Sequence, residues 1–239
     1  MSKFFRNKVI MLRSILASIP FCLRHLPLRQ AVKLPILVYK PKYLSQKGRF
    51  VIDCPNVRFG MIRLGFLRCA VYPNSGVTIK NEGKIVFRGT CTIGNDAYIV
   101  CGKQGKIVFG DDFRNKGGMK LVANCGITFG KTVSVGWECI ILDTNFHPLV
   151  DMERKEQKKA FGPITIGDYN WLGLQCYVMP CVTTPERCIF GARSILTRSG
   201  TYESYCVHGG NPLKVLTRNV MRDFGHDRID DYSIETIED

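Results

Sequence analysis

A chain of 239 residues, 45% of them apolar, is long enough to bury a sizeable core as one domain with an appendage. The net charge of +14 is unevenly placed: residues 1 to 52 hold eleven Lys or Arg and no acid, so 53 to 239 carry only +3 (23 basic, 20 acidic). No stretch approaches the roughly 18 uninterrupted apolar residues of a spanning helix, and eleven cysteines with no C-x-x-C spacing argue against a disulfide or zinc framework.

The basic end comes first. Phe5, Val9, Leu12, Leu16 and Ile19 are spaced as a helical stripe, with Lys3, Arg6 and Arg13 on the other side, and Pro20 is expected to stop or kink this helix. Residues 14 to 23 have the length of a signal core, but Arg24 and His25 follow with no clean cleavage site, so a cytoplasmic protein is expected. Such a helix either lies on an anionic membrane surface or packs on its own domain. Basic arms also attract nucleic acid, but no recognition motif accompanies the charge and no nucleic-acid partner is expected.

From residue 83 a phrase returns four times: Gly83-Lys-Ile-Val-Phe87, Gly105-Lys-Ile-Val-Phe109, Gly126-Ile-Thr-Phe129 and Gly162-Pro-Ile-Thr-Ile166. The spacings of 22, 21 and 36 residues signal one small unit laid down repeatedly. Within it runs a period of six: Ile93 and Ile99, then Phe129, Val135 and Ile141, then Ile166, Leu172 and Val178. Small residues (Ala97, Val133, Cys139, Cys176, Val182) follow four positions behind. A six-residue period fits neither a helix nor simple strand alternation. It suits a triangular prism of three short strands per turn, each sending one aliphatic inward, with glycines at corners where φ is positive. The stretch from Asp143 to Gly162 loses the period and is charged, a loop protruding from a coil. Cysteines at repeat positions, such as Cys91, Cys101, Cys139, Cys176 and Cys181, read as buried thiols of a reducing cytosol.

Four stretches, Asp143-Thr-Asn-Phe-His147-Pro148, Ile166-Gly-Asp-Tyr-Asn-Trp171-Leu-Gly173, Phe190-Gly-Ala-Arg-Ser194 and Gly209-Gly-Asn-Pro-Leu-Lys214, resemble the hexapeptide-repeat acyltransferases. The likeness is greatest to sugar O-acetyltransferases of the galactoside, maltose and capsular-polysaccharide type, and it covers roughly residues 85 to 218. It implies an all-β, left-handed parallel β-helix, a handedness that periodicity does not give because parallel crossovers are normally right-handed. It also implies a homotrimer with active sites between neighbouring prisms.

The resemblance makes His147 the general base that takes a proton from an acceptor hydroxyl, which then attacks the thioester of acetyl-CoA. Asp143 or Asn145 would orient the ring; related chains often have Asp where this one has Asn145, and an amide cannot stabilise imidazolium as a carboxylate does. Trp171 would border the substrate tunnel, and Gly173 would leave backbone amides available to coenzyme A or the oxyanion. Ala192 and Ser194 match positions along which coenzyme A lies, and Arg198 and Lys214 would hold its phosphates. No metal site is legible, since the prism region offers only His147 and His208. P-loop and Rossmann signatures are absent.

The chain so divides into residues 1–50, the basic amphipathic segment; 51–210, the β-helix domain with the protruding loop 143–162; and 211–239, a C-terminal helix from Val215 to Phe224 with an acidic tail. The expected protein is a cytoplasmic O-acetyltransferase, peripheral at the inner face of the membrane, acting on a cell-envelope or capsular glycan or its lipid-linked precursor. The alternatives are an N-acyltransferase on an amino-sugar, since the fold serves both, and a noncatalytic β-helix scaffold.

Overall fold

The computed structural model describes residues 3–66 and 75–224, with side chains from residue 9 onward. His226 and the acidic tail lie outside the described residues. Successive strands fall on three parallel sheets, each strand pairing with the one a coil earlier and a coil later. The first coil is Ile36–Val38, Pro41–Gln46 and Arg49–Ile52, and the second is Ile62–Leu64, Val77–Asn81 and Lys84–Phe87. Next come Cys91–Ile93, Ala97–Cys101 and Lys106–Phe109, then Phe113–Asn115, Lys120–Ala123 and Ile127–Phe129. The fifth coil is Ser134–Val135, Ile140–Leu142 and Ile164–Ile166, and the sixth Trp171–Leu172, Tyr177–Val178 and Thr183–Thr184. Cys188–Phe190 and Ile195–Leu196 begin a seventh, and Cys206–Gly209 adds a last parallel strand to the first face. The prism thus starts at Ile36, earlier than the expected boundary at residue 51.

The six-residue period points inward as expected. Ile93, Ile99, Phe129, Val135, Ile141, Ile166, Leu172 and Val178 are buried, as are Ala97, Val133, Cys139, Cys176 and Val182. On the third face the repeated phrase becomes an aromatic stack: Phe87 and Phe109 lie 5.3 Å apart, and Phe109 and Phe129 5.6 Å. Each such pair contributes on the order of 1 kcal/mol beyond its burial. None of the ten described cysteines is in a disulfide, and most are buried.

Glycine has a different role from the one expected. The corner residues with positive φ are mostly not glycines: Asp96, Glu138, Gln175 and Arg193 turn the chain from the first face to the second, Asp112, Thr132, Tyr169 and Arg187 from the third to the first, and Tyr205 leads into the last strand of the first face. The glycines after the inward aliphatics have ordinary φ and are needed for closeness. A Cβ on Gly136 would stand 2.7 Å from the Gly173 carbonyl carbon, and one on Gly173 2.8 Å from the Phe190 oxygen. Coils stacked at strand spacing leave no room there.

Helix α1 (Lys3–His25) closes the first end of the prism. It runs through Pro20 without stopping. Both Pro20 and Leu16 are exposed, so the carbonyl that loses its partner is on the solvent side, where water can bond it. Packing holds the helix on either side of the proline. Ser18 Oγ accepts the Val38 N–H at 2.8 Å, Cys22 Sγ donates to the Ile36 carbonyl at 3.3 Å, and the Phe21 ring lies 5.7 Å from Tyr43 and 5.0 Å from Phe50. Those partners belong to the first strand of each face. A short α2 (Leu28–Ala31) leads into the first coil. No helix is long and apolar enough to cross a membrane among the described residues.

The far end corrects a second expectation. Residues 214–218 form an antiparallel strand on Cys206–Gly209, where a helix from Val215 was expected. The unpaired edge of the last parallel strand offers backbone partners, and Arg218 fixes the return through two bonds to Glu203, at 2.9 and 3.1 Å.

Candidate functional site

Two corners of the prism carry the candidate residues. At the corner between the second and third faces, the fifth coil departs from the period after Leu142. Asp143 is fully buried and accepts the N–H groups of Asn124 (2.7 Å), Cys125 (2.8 Å) and Gly126 (2.6 Å) from the coil below. Its carboxylate is committed to that turn and makes no bond to His147.

Beyond Asp143 the chain tightens. Thr144 is buried, gives its hydroxyl proton to the Ala160 carbonyl at 3.2 Å and accepts the Phe146 N–H at 3.0 Å. Phe146 is left-handed (φ 60°), and the His147 N–H donates to the Asn145 carbonyl at 2.7 Å. His147 is thereby held at an exposed turn, and no described residue bonds its ring. Asn145 is exposed beside it, tied by its backbone to Ala160.

The charged loop is a built element. Leu149–Asp151 pairs antiparallel with Glu156–Lys158; Asp151 accepts the N–H groups of Glu153 and Arg154 at its turn, and Lys158 lies 3.1 Å from its carboxylate. Leu149, Val150, Met152 and Phe161 are exposed. Where the loop rejoins the prism it borders a cleft of about 460 Å³ lined by Cys125, Lys159, Gly162, Cys181, Thr183 and Arg198. Arg198 therefore belongs to the same corner as His147.

Trp171, Gly173, Ala192 and Ser194 lie elsewhere, on the first face and its corner with the second. Trp171 is partly exposed, with the Arg222 guanidinium 4.9 Å from its ring. The Gly173 N–H donates to the Phe190 carbonyl at 2.7 Å, so this amide is not available to a ligand as the sequence reading expects; coil stacking uses it. Ala192 is exposed, whereas Ser194 is buried and donates its hydroxyl to the Gly191 carbonyl at 2.7 Å. Lys214 is exposed at the start of the terminal strand, beyond either corner. Within one chain the expected residues do not form a single site.

Sequence reasoning missed a polar ladder on the corner of Ala192. Arg193 Nε donates to Gln175 Oε1 at 2.9 Å, and Gln175 Nε2 to Glu138 Oε2 at 2.6 Å, beside a cleft of about 520 Å³ that also meets Lys120 and Tyr177. The signal was present: in Gly136-Trp-Glu138, Gly173-Leu-Gln175 and Gly191-Ala-Arg193 the polar residue takes the same place after glycine in successive coils.

His208, the other prism histidine, is buried against Phe190, with ring centroids 5.2 Å apart. Its Nε2 accepts the Glu203 N–H at 3.1 Å, which puts the proton of the neutral ring on Nδ1, and burial holds its pKa below the usual histidine value.

No family model matches the chain. It is 36% identical over 128 residues to a Staphylococcus aureus protein whose name gives it provisionally as an acetyltransferase, across 46% of this chain and 63% of that one. Identity is 27% to the polysialic acid O-acetyltransferase of Escherichia coli, over 52% of this chain and 40% of the relative. With the galactoside O-acetyltransferase of Escherichia coli it is 28%, over 54% and 62%. The chain thus spans at most 63% of the length of these curated relatives. Among solved structures, the polysialic-acid-specific acetyltransferase NeuO superposes with a TM-score of 0.50 at 20% identity, over 82% of this chain and 94% of that one. These likenesses establish the fold: the chain is a left-handed parallel β-helix, and it resembles the hexapeptide-repeat acyltransferases.

Proposed function

We propose that this chain is an O-acetyltransferase that moves acetyl from acetyl-CoA to a hydroxyl of a cell-envelope or capsular glycan or its precursor, with His147 as general base. The observation that carries the reading is the placement of that imidazole. It is exposed and unbonded at the tip of a turn in which the side chains of Asp143 and Thr144 are both committed to the backbone. A ring held out in this way is open to an incoming substrate. The names of the relatives, which act on polysialic acid and galactosides, supply the acceptor class.

In the proposed step the unprotonated ring nitrogen takes the acceptor hydroxyl's proton as its oxygen attacks the thioester carbonyl. The tetrahedral intermediate collapses, the carbon–sulfur bond breaks, and the imidazolium returns the proton to the departing thiolate. Because Asp143 is committed to the 124–126 turn, Asn145 is the nearby side chain left to orient the ring, and the imidazolium then lacks a carboxylate partner. Arg198 and Lys159, both cationic beside the cleft at that corner, suit the coenzyme's phosphates.

The division of candidate residues between two corners favours a site completed by a second copy. The corner bearing His147 from one chain would face the corner of Trp171 and Ala192 from the next, a head-to-tail contact that closes into a ring, and the family resemblance implies that the ring is a homotrimer. Light scattering should then give three 27.0-kDa chains; a monomer would leave the site incomplete.

Thiol release from acetyl-CoA, measured over a panel of glycans and lipid-linked sugars, tests the chemistry. His147→Ala should lower turnover by about 10²–10⁴-fold while calorimetry still shows coenzyme A binding. Equal turnover in both proteins would remove His147 from the mechanism. Coenzyme A binding without turnover on any acceptor would favour a noncatalytic β-helix, and acylated amine products would favour the N-acyltransferase.

A further inference from the structure

Helix α1 is amphipathic the wrong way round for a helix that merely packs on its own domain. Its buried seam is Ser14, Ser18, Phe21 and Cys22, and the Ser18 hydroxyl ties it down, donating to the Ser14 backbone carbonyl at 2.5 Å and accepting the Val38 N–H at 2.8 Å. The large aliphatics face outward: Leu12 is 59% exposed, Leu16 61%, Ile19 38% and Leu23 54%. At about 100° per residue these four fall within roughly a 60° arc, centred about 145° around the helix from the seam. The bonds to the first strands lock that rotation, so the stripe cannot turn inward.

What surrounds the stripe identifies its partner. Arg13 and Arg24 are exposed along one side of it, and α2 with the residue after it adds exposed Leu28, Arg29 and Val32, followed by exposed Lys33. No acid occurs before Asp53. A second copy of this segment would bring like charge against like, and a nucleic-acid backbone offers no apolar layer to receive four aliphatics. An anionic bilayer offers both, acyl chains below and phosphate at the level of the guanidinium groups. The helix is too polar to span, which fits a helix lying in the interfacial plane.

We propose that α1 seats this chain on an anionic lipid surface, with Leu12, Leu16, Ile19 and Leu23 in the acyl boundary and Arg13 and Arg24 at the headgroups. This reading stands whatever reaction the prism catalyses.

Flotation of the full 239-residue chain with phosphatidylcholine vesicles, with and without phosphatidylglycerol, tests it. The protein should float with the anionic vesicles and be released by salt. Leu12→Asp with Leu16→Asp should weaken binding by about tenfold or more, and Arg13→Gln by roughly fivefold, with the melting temperature unchanged because the stripe is outside the core. Leu16→Trp gives an independent reading: its emission should shift to the blue with anionic vesicles. Wild type that stays unbound, a double aspartate variant that floats as before, or a Leu16→Trp emission spectrum indifferent to lipid would each overturn the proposal. So would a double variant that loses only self-association in light scattering, since that would assign the stripe to a second copy.

Discussion

Three backbone N–H groups, of Asn124, Cys125 and Gly126, converge on one buried carboxylate. Asp143→Asn would present an amide nitrogen to at least one of those donors, so the variant should lose about 2–3 kcal/mol in urea unfolding. A residue that served only to orient the His147 ring would leave the unfolding midpoint in place. From sequence, Asp143 sat in a recognisable motif but its work was hidden, because its partners are 17 to 19 residues back on another coil. Corner residues such as Tyr169 and Arg187 were illegible for a related reason: contact with the next coil overrides the cost of positive φ for a side chain. There the Arg187 guanidinium lies 4.5 Å from the Tyr169 ring and 5.5 Å from Tyr205. His208 yields a pH signature. Burial lowers its folded pKa below the unfolded value, so its contribution is complete above the ordinary histidine range and is lost as pH falls through that range toward the folded value. Wild type should melt lower at pH 5.5 than at 7.5, and His208→Gln should flatten that difference; an unchanged slope would exonerate His208. His25 is also lowered by burial and contributes a slope of the same sign.

Among the elements, the hairpin of Leu149–Asp151 and Glu156–Lys158 is held by its own turn and ion pair and buries almost nothing. Replacing residues 149 to 158 with a short Gly-Ser link should leave the melting temperature close to wild type while shifting light-scattering mass from the proposed trimer toward monomer. An unchanged mass would show that the exposed Leu149, Val150 and Met152 do not grip a neighbouring copy. The sequence marked this stretch as a loop because the six-residue period stopped, yet the strand pairing inside it was invisible, since exposed strands show no inward pattern. At the C-terminus the error ran the other way. Val215, Leu216, Val220 and Met221 suggest a helix in isolation, and the open edge of Cys206–Gly209 decides otherwise. The N-terminal helix was legible in its stripe and charge but not in its rotation, which depends on Ser18 and Cys22 meeting the backbone of the first coil.

Over the whole molecule, the inward aliphatics and the three-sided cross-section were readable because every coil repeats the same packing problem, whereas the site was readable only as scattered motifs. His147 and Arg198 share one corner and Trp171 and Ala192 another, a separation that appears only once the strands are stacked. Charge follows the same axis, concentrated at the end that α1 covers. The stack is also a ruler. Coils add one strand spacing each, and four such steps separate the first coil, on which α1 rests, from the fifth, whose second-face strand leads to His147. At about 4.8 Å per step that corner stands about 19 Å from the first coil, with the helix a further layer beyond it. On the proposed seating of α1, an acceptor held at the lipid surface must rise past the helix and these four steps to meet His147, so the number of coils would set the length of acceptor that can be served.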